Sequence, residues 1–197
     1  MAHEINVTNV TKVKGLFYIE DIKEDTTHII SKLDTFSWQP LSASKISRVV
    51  QHYGFKYNYH TYKINERCNA LPECLTVLKN MLTDTCLHLG LIDANYEFNQ
   101  CIVNNYYAGQ GISPHIDVST YGEVIGCFTI GSGATMKFTH GSEEVDLYVN
   151  RDSLYIMSGD SRFKWKHSMT SKKSDIVNDT KIERARRVSI TFRNVPN

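Results

Sequence analysis

Two histidines and one aspartate have the residue types and the spacing of a metal site. His115 and Asp117 flank one isoleucine in the segment ISPHIDV, and His167 follows in FKWKHSM. If ISPHIDV is a strand, residues two apart project to the same side, so an imidazole and a carboxylate would face a common ion. Two histidines and one carboxylate leave coordination positions open for substrate and dioxygen, as in non-haem iron(II) oxygenases. A His-x-Asp pair alone is weak evidence, and the third histidine is what makes the hypothesis useful.

The C-terminal segment RVSITFR offers a complementary anion site. Strand alternation puts two arginines and two hydroxyls on one face (Arg187, Ser189, Thr191, Arg193) and apolar side chains on the other (Val188, Ile190, Phe192). A buried row of this kind needs an anion, and a surface row would need only water. The two arginines are separated by roughly 20 Å of extended strand, so we expect them to meet different ends of a ligand such as a dicarboxylate.

The surrounding elements follow from hydrophobic periodicity. Two amphipathic helices are predicted, in DTTHIISKLDTF and in LPECLTVLKNMLTDTCLHLG. In the second helix, Pro72 suits the first turn and Gly90 suits the end. HYGFKYNYHTY alternates strictly and predicts one strand with its aromatic residues on one face. Short strands follow in QCIVNNYY, VIGCFTI, ATMKFTH, EVDLYV, SLYIMSG and RVSITFRNV. Early helices followed by regularly spaced strands predict an antiparallel barrel or sandwich with helical cover.

Composition is that of one globular domain, with 41% hydrophobic and 22% charged residues among 197. No apolar run has the length of a membrane span and no signal sequence is recognised, so we expect an intracellular protein of the cytoplasm or nucleus, without a membrane partner and monomeric. Five scattered cysteines without a Cys-x-x-Cys pair favour reduced thiols.

Charge is almost balanced overall but uneven along the chain. The formal net charge is +1, whereas the stretch from Arg162 to Arg193 has ten Lys and Arg residues against three Asp and Glu. The first value argues against a long nucleic-acid footprint, and the second favours a local basic face. An ordinary solvated charged loop is the alternative.

Three segments, VNNYYAGQGISPHID, SGDSRFKWKHSM and RVSITFR, resemble the signature segments of the AlkB family of Fe(II)- and 2-oxoglutarate-dependent dioxygenases. The resemblance implies an α+β, mainly β fold: a double-stranded β-helix (jelly-roll) core with N-terminal helices and a substrate lid. We therefore expect a single domain over 1–197, with an N-terminal extension (1–40), lid strands and a helix (41–95), and the β-helix core (96–197).

The resemblance also implies roles for individual residues. The iron ligands would be His115, Asp117 and His167. The cosubstrate 2-oxoglutarate would be held by Asn104, Tyr106, Arg187, Ser189, Thr191 and Arg193, with Arg187 on its distal carboxylate. Phe55 and Tyr57 would belong to the lid over the substrate. No catalytic residue is expected beyond the metal ligands, because the cofactors Fe(II), 2-oxoglutarate and O2 supply the chemistry.

The function implied is oxidative demethylation of alkylated bases in single-stranded DNA or RNA, which releases succinate, CO2 and formaldehyde. An alternative is hydroxylation of a modified wobble uridine in transfer RNA, because GQGISPHID, MKFTH and the Trp165-x-His167 spacing look closer to that branch of the family. The same chemistry on a protein or lipid target is a further alternative. The least favoured is a non-catalytic, cupin-like metal-binding protein, which would not explain the polar face that begins at Arg187.

Overall fold

The computed structural model describes residues 6–42 and 47–196. Parts of the expected extension, lid and core (residues 1–5, 43–46 and 197) lie outside the described residues. The first half of the chain contains β1 (Thr8–Asn9), β2 (Leu16–Ile19), α1 (Thr27–Leu33), β3 (Gln39–Pro40), β4 (Val49–Tyr53), β5 (Phe55–Asn58), β6 (Lys63–Arg67), a 3-10 turn (Glu73–Leu75) and α2 (Thr76–His88). The second half contains β7 (Gln100–Tyr106), β8 (Ile112–His115), β9 (Ile125–Gly131), β10 (Ala134–His140), β11 (Glu143–Val149), β12 (Ser153–Met157), α3 (Gly159–Phe163), β13 (Lys166–Met169), β14 (Ser174–Val177), β15 (Thr180–Glu183) and β16 (Arg187–Arg193).

Two sheets form the body of the fold. The larger has eight strands in the order β1-β2-β12-β9-β16-β7-β4-β3, and the smaller has four in the order β11-β10-β13-β8. One hydrophobic cluster joins them, with Cys127 and Tyr155 from the large sheet and Met136 and Phe138 from the small one. This mainly β, jelly-roll architecture confirms the predicted fold class.

The helices cover the other face of the large sheet. Leu33 of α1 and Leu78 and Leu82 of α2 are fully buried in a second cluster that includes Val188 and Phe192 of β16. Both predicted helices are confirmed, and Gly90 after α2 has a left-handed backbone with φ of +65°. All six strands predicted after Phe98 are confirmed as β7, β9, β10, β11, β12 and β16.

The prediction of one continuous strand in HYGFKYNYHTY is wrong. The chain turns at Gly54, which has φ of +76° and packs so closely that a Cβ atom would lie 1.9 Å from the carbonyl oxygen of Asn99. Strand β4 therefore stays in the large sheet, while β5 leaves it and pairs with β6 as a separate hairpin. Among the four aromatic residues, Tyr53 is buried and the other three are half-buried.

The N-terminal segment is built into the fold. Strand β2 pairs with β12 in the large sheet, and Arg186 makes a two-point ion pair with Asp34 just after α1, at 2.6 and 2.7 Å. All five cysteines are free thiols, as predicted. Within the described residues, no helix is both long and apolar enough to cross a membrane.

The predicted basic face between Arg162 and Arg193 is not formed. Four of its ten basic residues are buried arginines: Arg162, Arg184, Arg187 and Arg193. Four others are paired with carboxylates: Lys164 with Asp160, Lys172 with Asp175, Lys181 with Glu183 and Arg186 with Asp34. The charge count is a poor guide here because most of these side chains are buried or paired with carboxylates of the same chain.

Candidate metal centre

The two histidines meet across the small sheet. His167 on β13 lies directly opposite His115 on β8, with ring centroids 4.2 Å apart. Strand β8 ends at His115, so Asp117 follows on a loop rather than projecting from the same strand as expected. Even so, one ligand atom from each of His115, Asp117 and His167 lies within 4.8 Å of the others.

Hydrogen bonding and burial prepare the three side chains for a cation. Nδ1 of His115 lies 2.9 Å from the carbonyl oxygen of Ser113, which leaves Nε2 facing Asp117 at 3.9 Å. Burial, with a smaller contribution from His115, lowers the pKa of His167 to about 3, so its imidazole is neutral. Burial alone would raise the pKa of Asp117, but Arg193 and the two histidines outweigh it and hold that pKa well below its usual range. Two imidazoles and one carboxylate are a suitable donor set for a divalent metal.

Arg193 lies at the metal end of the site. Its guanidinium donates to both carboxylate oxygens of Asp117, from Nε at 3.1 Å and from Nη2 at 3.4 Å, and both side chains are nearly buried. The resemblance had placed Arg193 with the cosubstrate, whereas in the structure this arginine is engaged by a candidate metal ligand. It fixes the carboxylate orientation through charge-assisted hydrogen bonds.

Arg162, a residue that sequence reasoning missed, holds the loop that carries Asp117. It is 2% exposed and donates to the carbonyl oxygens of Asp117 (2.9 Å), Val118 (2.8 Å), Tyr121 (3.2 Å) and Gly122 (3.2 Å). These contacts join α3 to the whole turn after the candidate ligand. The sequence shows the arginine in SGDSRF but does not indicate that main-chain carbonyl groups are its partners.

Arg187 lies at the other end of β16 with spare donor capacity. It is 4% exposed, its Nη2 donates to Thr129 Oγ1 at 2.9 Å, and its Nε is buried without a hydrogen-bond partner. No carboxylate among residues 6–42 and 47–196 forms an ion pair with it. A buried, unpaired guanidinium is costly alone, so this environment suits a ligand carboxylate.

Strand β7 supplies the neighbouring wall through its register with β16. Tyr106 lies opposite Arg187, and Asn104 lies opposite Ser189. Two guanidinium groups lie near the Tyr106 ring: that of Arg187 is 5.6 Å from the ring centroid, and that of Arg48 is 5.8 Å from it. Arg48, which was not predicted, also donates to Asn104 Oδ1 at 2.8 Å.

The remaining hydroxyls of β16 have partners within this wall. Asn104 Nδ2 donates to Ser189 Oγ at 3.5 Å, and Thr191 Oγ1 donates to the Cys127 thiol at 3.4 Å. Both hydroxyl residues are more than nine-tenths buried. The polar face of β16 therefore points inward, which rejects the solvent-facing alternative.

The β5–β6 hairpin, which is predicted from the sequence to be the lid, brings one of its two predicted substrate residues towards the metal cluster. The Tyr57 ring lies 6.3 Å from that of Tyr121, in the loop after Asp117, and 4.9 Å from that of Tyr59. Phe55 instead lies under the guanidinium of Arg67, at 5.1 Å, and lines a different cavity from Tyr57. A β-bulge between Lys56 and Tyr57 breaks the alternation on which their grouping depended.

Comparisons with known proteins agree with this geometry. Residues 18–193 match the model of the 2OG-Fe(II) oxygenase superfamily. The chain is 30% identical to the uncharacterised protein L905 of Acanthamoeba polyphaga mimivirus, over 99% of this chain and 91% of that protein. It is also 30% identical to the tRNA (carboxymethyluridine(34)-5-O)-methyltransferase alkbh8 of Xenopus tropicalis, over 83% of this chain but 26% of that protein. The solved structure of OsALKBH1 superposes with a TM-score of 0.72 at 17% identity, covering 95% of this chain and 99% of that one.

The chain belongs to the 2OG-Fe(II) oxygenase superfamily, whose members are dioxygenases that use Fe(II), 2-oxoglutarate and O2. Within that superfamily, its sequence relatives include AlkB homologues, in agreement with the predicted AlkB family. The predicted family, enzyme class and cofactors are thereby confirmed, and the alternative of a non-catalytic, cupin-like protein is excluded. The roles of individual residues remain predictions.

The side chains present fit these cofactors on two observations. The two imidazoles and one carboxylate are close enough to hold one iron(II) ion. The unpartnered Nε of Arg187 is suited to a carboxylate at the opposite end of the wall. When bound, iron and 2-oxoglutarate supply oxidation of a substrate C–H bond, coupled to release of succinate and CO2.

Proposed function

We propose that the protein hydroxylates a modified uridine in a single-stranded segment of RNA, with transfer RNA as the substrate. His115, Asp117 and His167 hold the iron, and Arg187 binds the distal carboxylate of 2-oxoglutarate beside Tyr106. The observation that carries the proposal is the positive charge around the aromatic cavity of the lid.

The lid cavity is basic, and one of its lining residues, Tyr57, has its ring 6.3 Å from that of Tyr121 in the loop after Asp117. It has a volume of about 290 Å³, and its lining includes Tyr57, Tyr59, Lys56 and Lys63, with Glu66 as its acidic residue. Aromatic side chains with nearby basic residues are what single-stranded nucleic acids require, because bases stack and phosphates seek positive charge.

The lysines that line the lid cavity are free, unlike most of the basic residues in the C-terminal stretch. Lys56 and Lys63 line the cavity beside Glu66, and neither lysine forms an ion pair within the described part of the chain. Free positive charge at the substrate cavity favours an uncharged or anionic base over a cationic one, such as 1-methyladenine or 3-methylcytosine. The proposal therefore prefers a uridine derivative to the alkylated bases that the sequence favoured.

The name of the frog relative supports RNA as the class of substrate, since that protein is named for a carboxymethyluridine of transfer RNA. The present chain corresponds to about a quarter of it, so the substrate is transferred here as a proposal. The reaction balances as substrate C–H, 2-oxoglutarate and O2 giving substrate C–OH, succinate and CO2.

Nucleoside mass spectrometry tests the reaction. The protein is incubated with iron(II), ascorbate, 2-oxoglutarate and either bulk transfer RNA, methylated single-stranded RNA or methylated single-stranded DNA, with Asp117→Asn as the inactive control. We expect a new hydroxylated uridine derivative in transfer RNA. Loss of 1-methyladenine or 3-methylcytosine without any uridine product would identify a demethylase instead. Succinate formation with none of these pools altered would favour a protein target.

Binding measurements test the role of the lid charge. The double variant Lys56→Gln/Lys63→Gln should weaken transfer RNA binding. The slope of the logarithm of the binding constant against the logarithm of salt concentration should become shallower by about 0.7 for each phosphate that a lysine no longer neutralises. The matched control is Lys164→Gln/Lys181→Gln, which removes two exposed lysines already paired with Asp160 and Glu183. Equal loss of affinity in both double variants would contradict the proposed role of the lid.

A further inference from the structure

Tyr121 has a buried hydroxyl group that neither the metal ligands nor the cosubstrate wall uses. The residue lies in the loop between Asp117 and β9 and is 3% exposed. Its hydroxyl has no hydrogen-bond partner among the residues that the structure describes. A hydroxyl that gives up water without gaining a partner destabilises the folded state, so the position calls for an explanation.

The Tyr121 ring is held firmly in place. Its backbone N–H donates to the carbonyl oxygen of Val118 at 3.2 Å, and its carbonyl oxygen accepts from Arg162 at 3.2 Å. The guanidinium of Arg193 lies 4.9 Å from the ring centroid. The loop and Arg193 together fix the side chain, so an unpaired hydroxyl is not explained by a loosely held residue.

Tyr121 lies between the candidate metal centre and the lid. On one side, Arg193 connects it to Asp117; on the other, the Tyr57 ring is 6.3 Å away and tilted by 35°. A substrate base admitted under Tyr57 and directed towards the metal would meet the Tyr121 side chain.

We propose that the Tyr121 hydroxyl determines specificity by donating a hydrogen bond to an acceptor oxygen on the substrate base. The proposal rests on the proposed function and narrows the substrate to bases with an exocyclic carbonyl oxygen, as in uracil. A tyrosine hydroxyl can donate or accept, and the adjacent guanidinium of Arg193 favours donation to an electron-rich oxygen. The free protein then carries an unsatisfied donor whose partner arrives with the substrate.

The experiment compares Tyr121→Phe with Tyr18→Phe. Tyr18, on β2, is also a buried tyrosine. Its hydroxyl, however, accepts a hydrogen bond from the Asn150 backbone N–H at 2.9 Å. For each variant we measure the thermal midpoint of the metal-free protein and the dissociation constant for bulk transfer RNA. Both substitutions remove one oxygen atom and keep the ring.

We expect opposite patterns from the two variants. Tyr121→Phe should keep or raise the thermal midpoint and weaken RNA binding about three- to tenfold, as for the loss of one hydrogen bond. Tyr18→Phe should lower the midpoint by a few degrees and leave RNA binding unchanged.

Two outcomes would overturn the inference. The first is a midpoint of Tyr121→Phe that falls as far as that of Tyr18→Phe, because the hydroxyl would then have a partner in the free protein. The second is unchanged RNA affinity of Tyr121→Phe, which would leave the proposed function standing. A wild-type protein that bound no transfer RNA would instead overturn the proposed function. The thermal midpoints of the two variants would still show whether the Tyr121 hydroxyl has a partner in the free protein.

Discussion

Replacement of Arg162 by lysine is expected to weaken metal binding more than its effect on stability explains. The guanidinium spreads donors over four carbonyl groups between Asp117 and Gly122. An ammonium group concentrates its three protons on one atom and cannot reach all four. The variant therefore leaves one or two buried carbonyls without a donor.

The size of the effect follows from those hydrogen bonds. Each buried polar group left unsatisfied costs about 1–3 kcal/mol, so a loss of roughly 2–4 kcal/mol is expected for Arg162→Lys. For a chain of this size, the thermal midpoint should fall by about 5–15 °C. Because the same loop carries Asp117, affinity for a divalent metal should fall about 10- to 100-fold, as when groups behind a metal ligand are lost.

Arg184→Lys is the matched control. Arg184 is also a buried arginine, but it donates to Asp175 at 2.5 and 2.9 Å and to the Thr170 carbonyl at 2.8 Å. Asp175 lies on β14 and Thr170 directly follows β13, and neither belongs to the loop that carries Asp117, so the control should lose stability and keep its metal affinity.

The assay is calorimetric titration of the chelator-treated proteins with manganese(II), at a temperature well below all thermal midpoints. If Arg162→Lys bound manganese as tightly as the wild type, Arg162 would be a purely structural residue. Equal losses of metal affinity in both variants would show that metal binding follows global stability, and the positioning argument would fail.

Three further variants test other parts of the site and fold. Asp117→Asn should reduce succinate production at least a hundredfold and weaken manganese binding, because an amide cannot supply the anionic ligand; a variant with wild-type turnover would rule out Asp117 as a ligand. Arg187→Lys should raise the KM for 2-oxoglutarate more than tenfold while changing kcat less, measured by succinate release at varied cosubstrate; an unchanged KM would place the distal carboxylate elsewhere. Burial would raise the pKa of Asp175, but hydrogen bonds from Arg184 outweigh it and lower that pKa, so the carboxylate contributes stability above about pH 4 that is lost as the pH falls. Asp175→Asn should cost about 3 kcal/mol at pH 7 and lose less stability on acidification, measured by urea unfolding from pH 7 to pH 3; equal acid sensitivity would contradict the pairing.

Periodicity predicted those elements whose faces are buried by regular neighbours. In β16 the apolar residues Val188, Ile190 and Phe192 face the helices, and the intervening polar residues face the small sheet. Strand β16 pairs with β7 and β9 along its two edges, so it cannot slip in register without moving its apolar residues off the helices, and strict alternation survives in the sequence. The same reasoning failed at Gly54, because alternation describes faces and carries no information about where the chain leaves a sheet.

Charge counting failed for a related reason. The basic residues between Arg162 and Arg193 look like a surface only if their partners are ignored. The lysine partners Asp160, Asp175 and Glu183 are close in sequence, but those of Arg186 and Arg193 are distant. Asp34 is 152 residues from Arg186, and Asp117 is 76 residues from Arg193. Positive charge is available for an external partner where no such carboxylate arrives, as at Lys56 and Lys63 in the lid.

The least predictable residues of the site are those whose partners are not side chains. Arg162 binds main-chain carbonyl groups, which every residue possesses, and Tyr121 has an unpaired hydroxyl, so neither residue type in VSTYG nor in SGDSRF indicates a role. Both become identifiable only when the fold brings α3 against the loop after Asp117. Such a side chain is recognised when its replacement changes stability and ligand affinity by different amounts. Replacement of Arg162 should lower metal affinity by more than the loss of stability explains. Removal of the Tyr121 hydroxyl should keep or raise the stability of the free protein and lower its affinity for RNA.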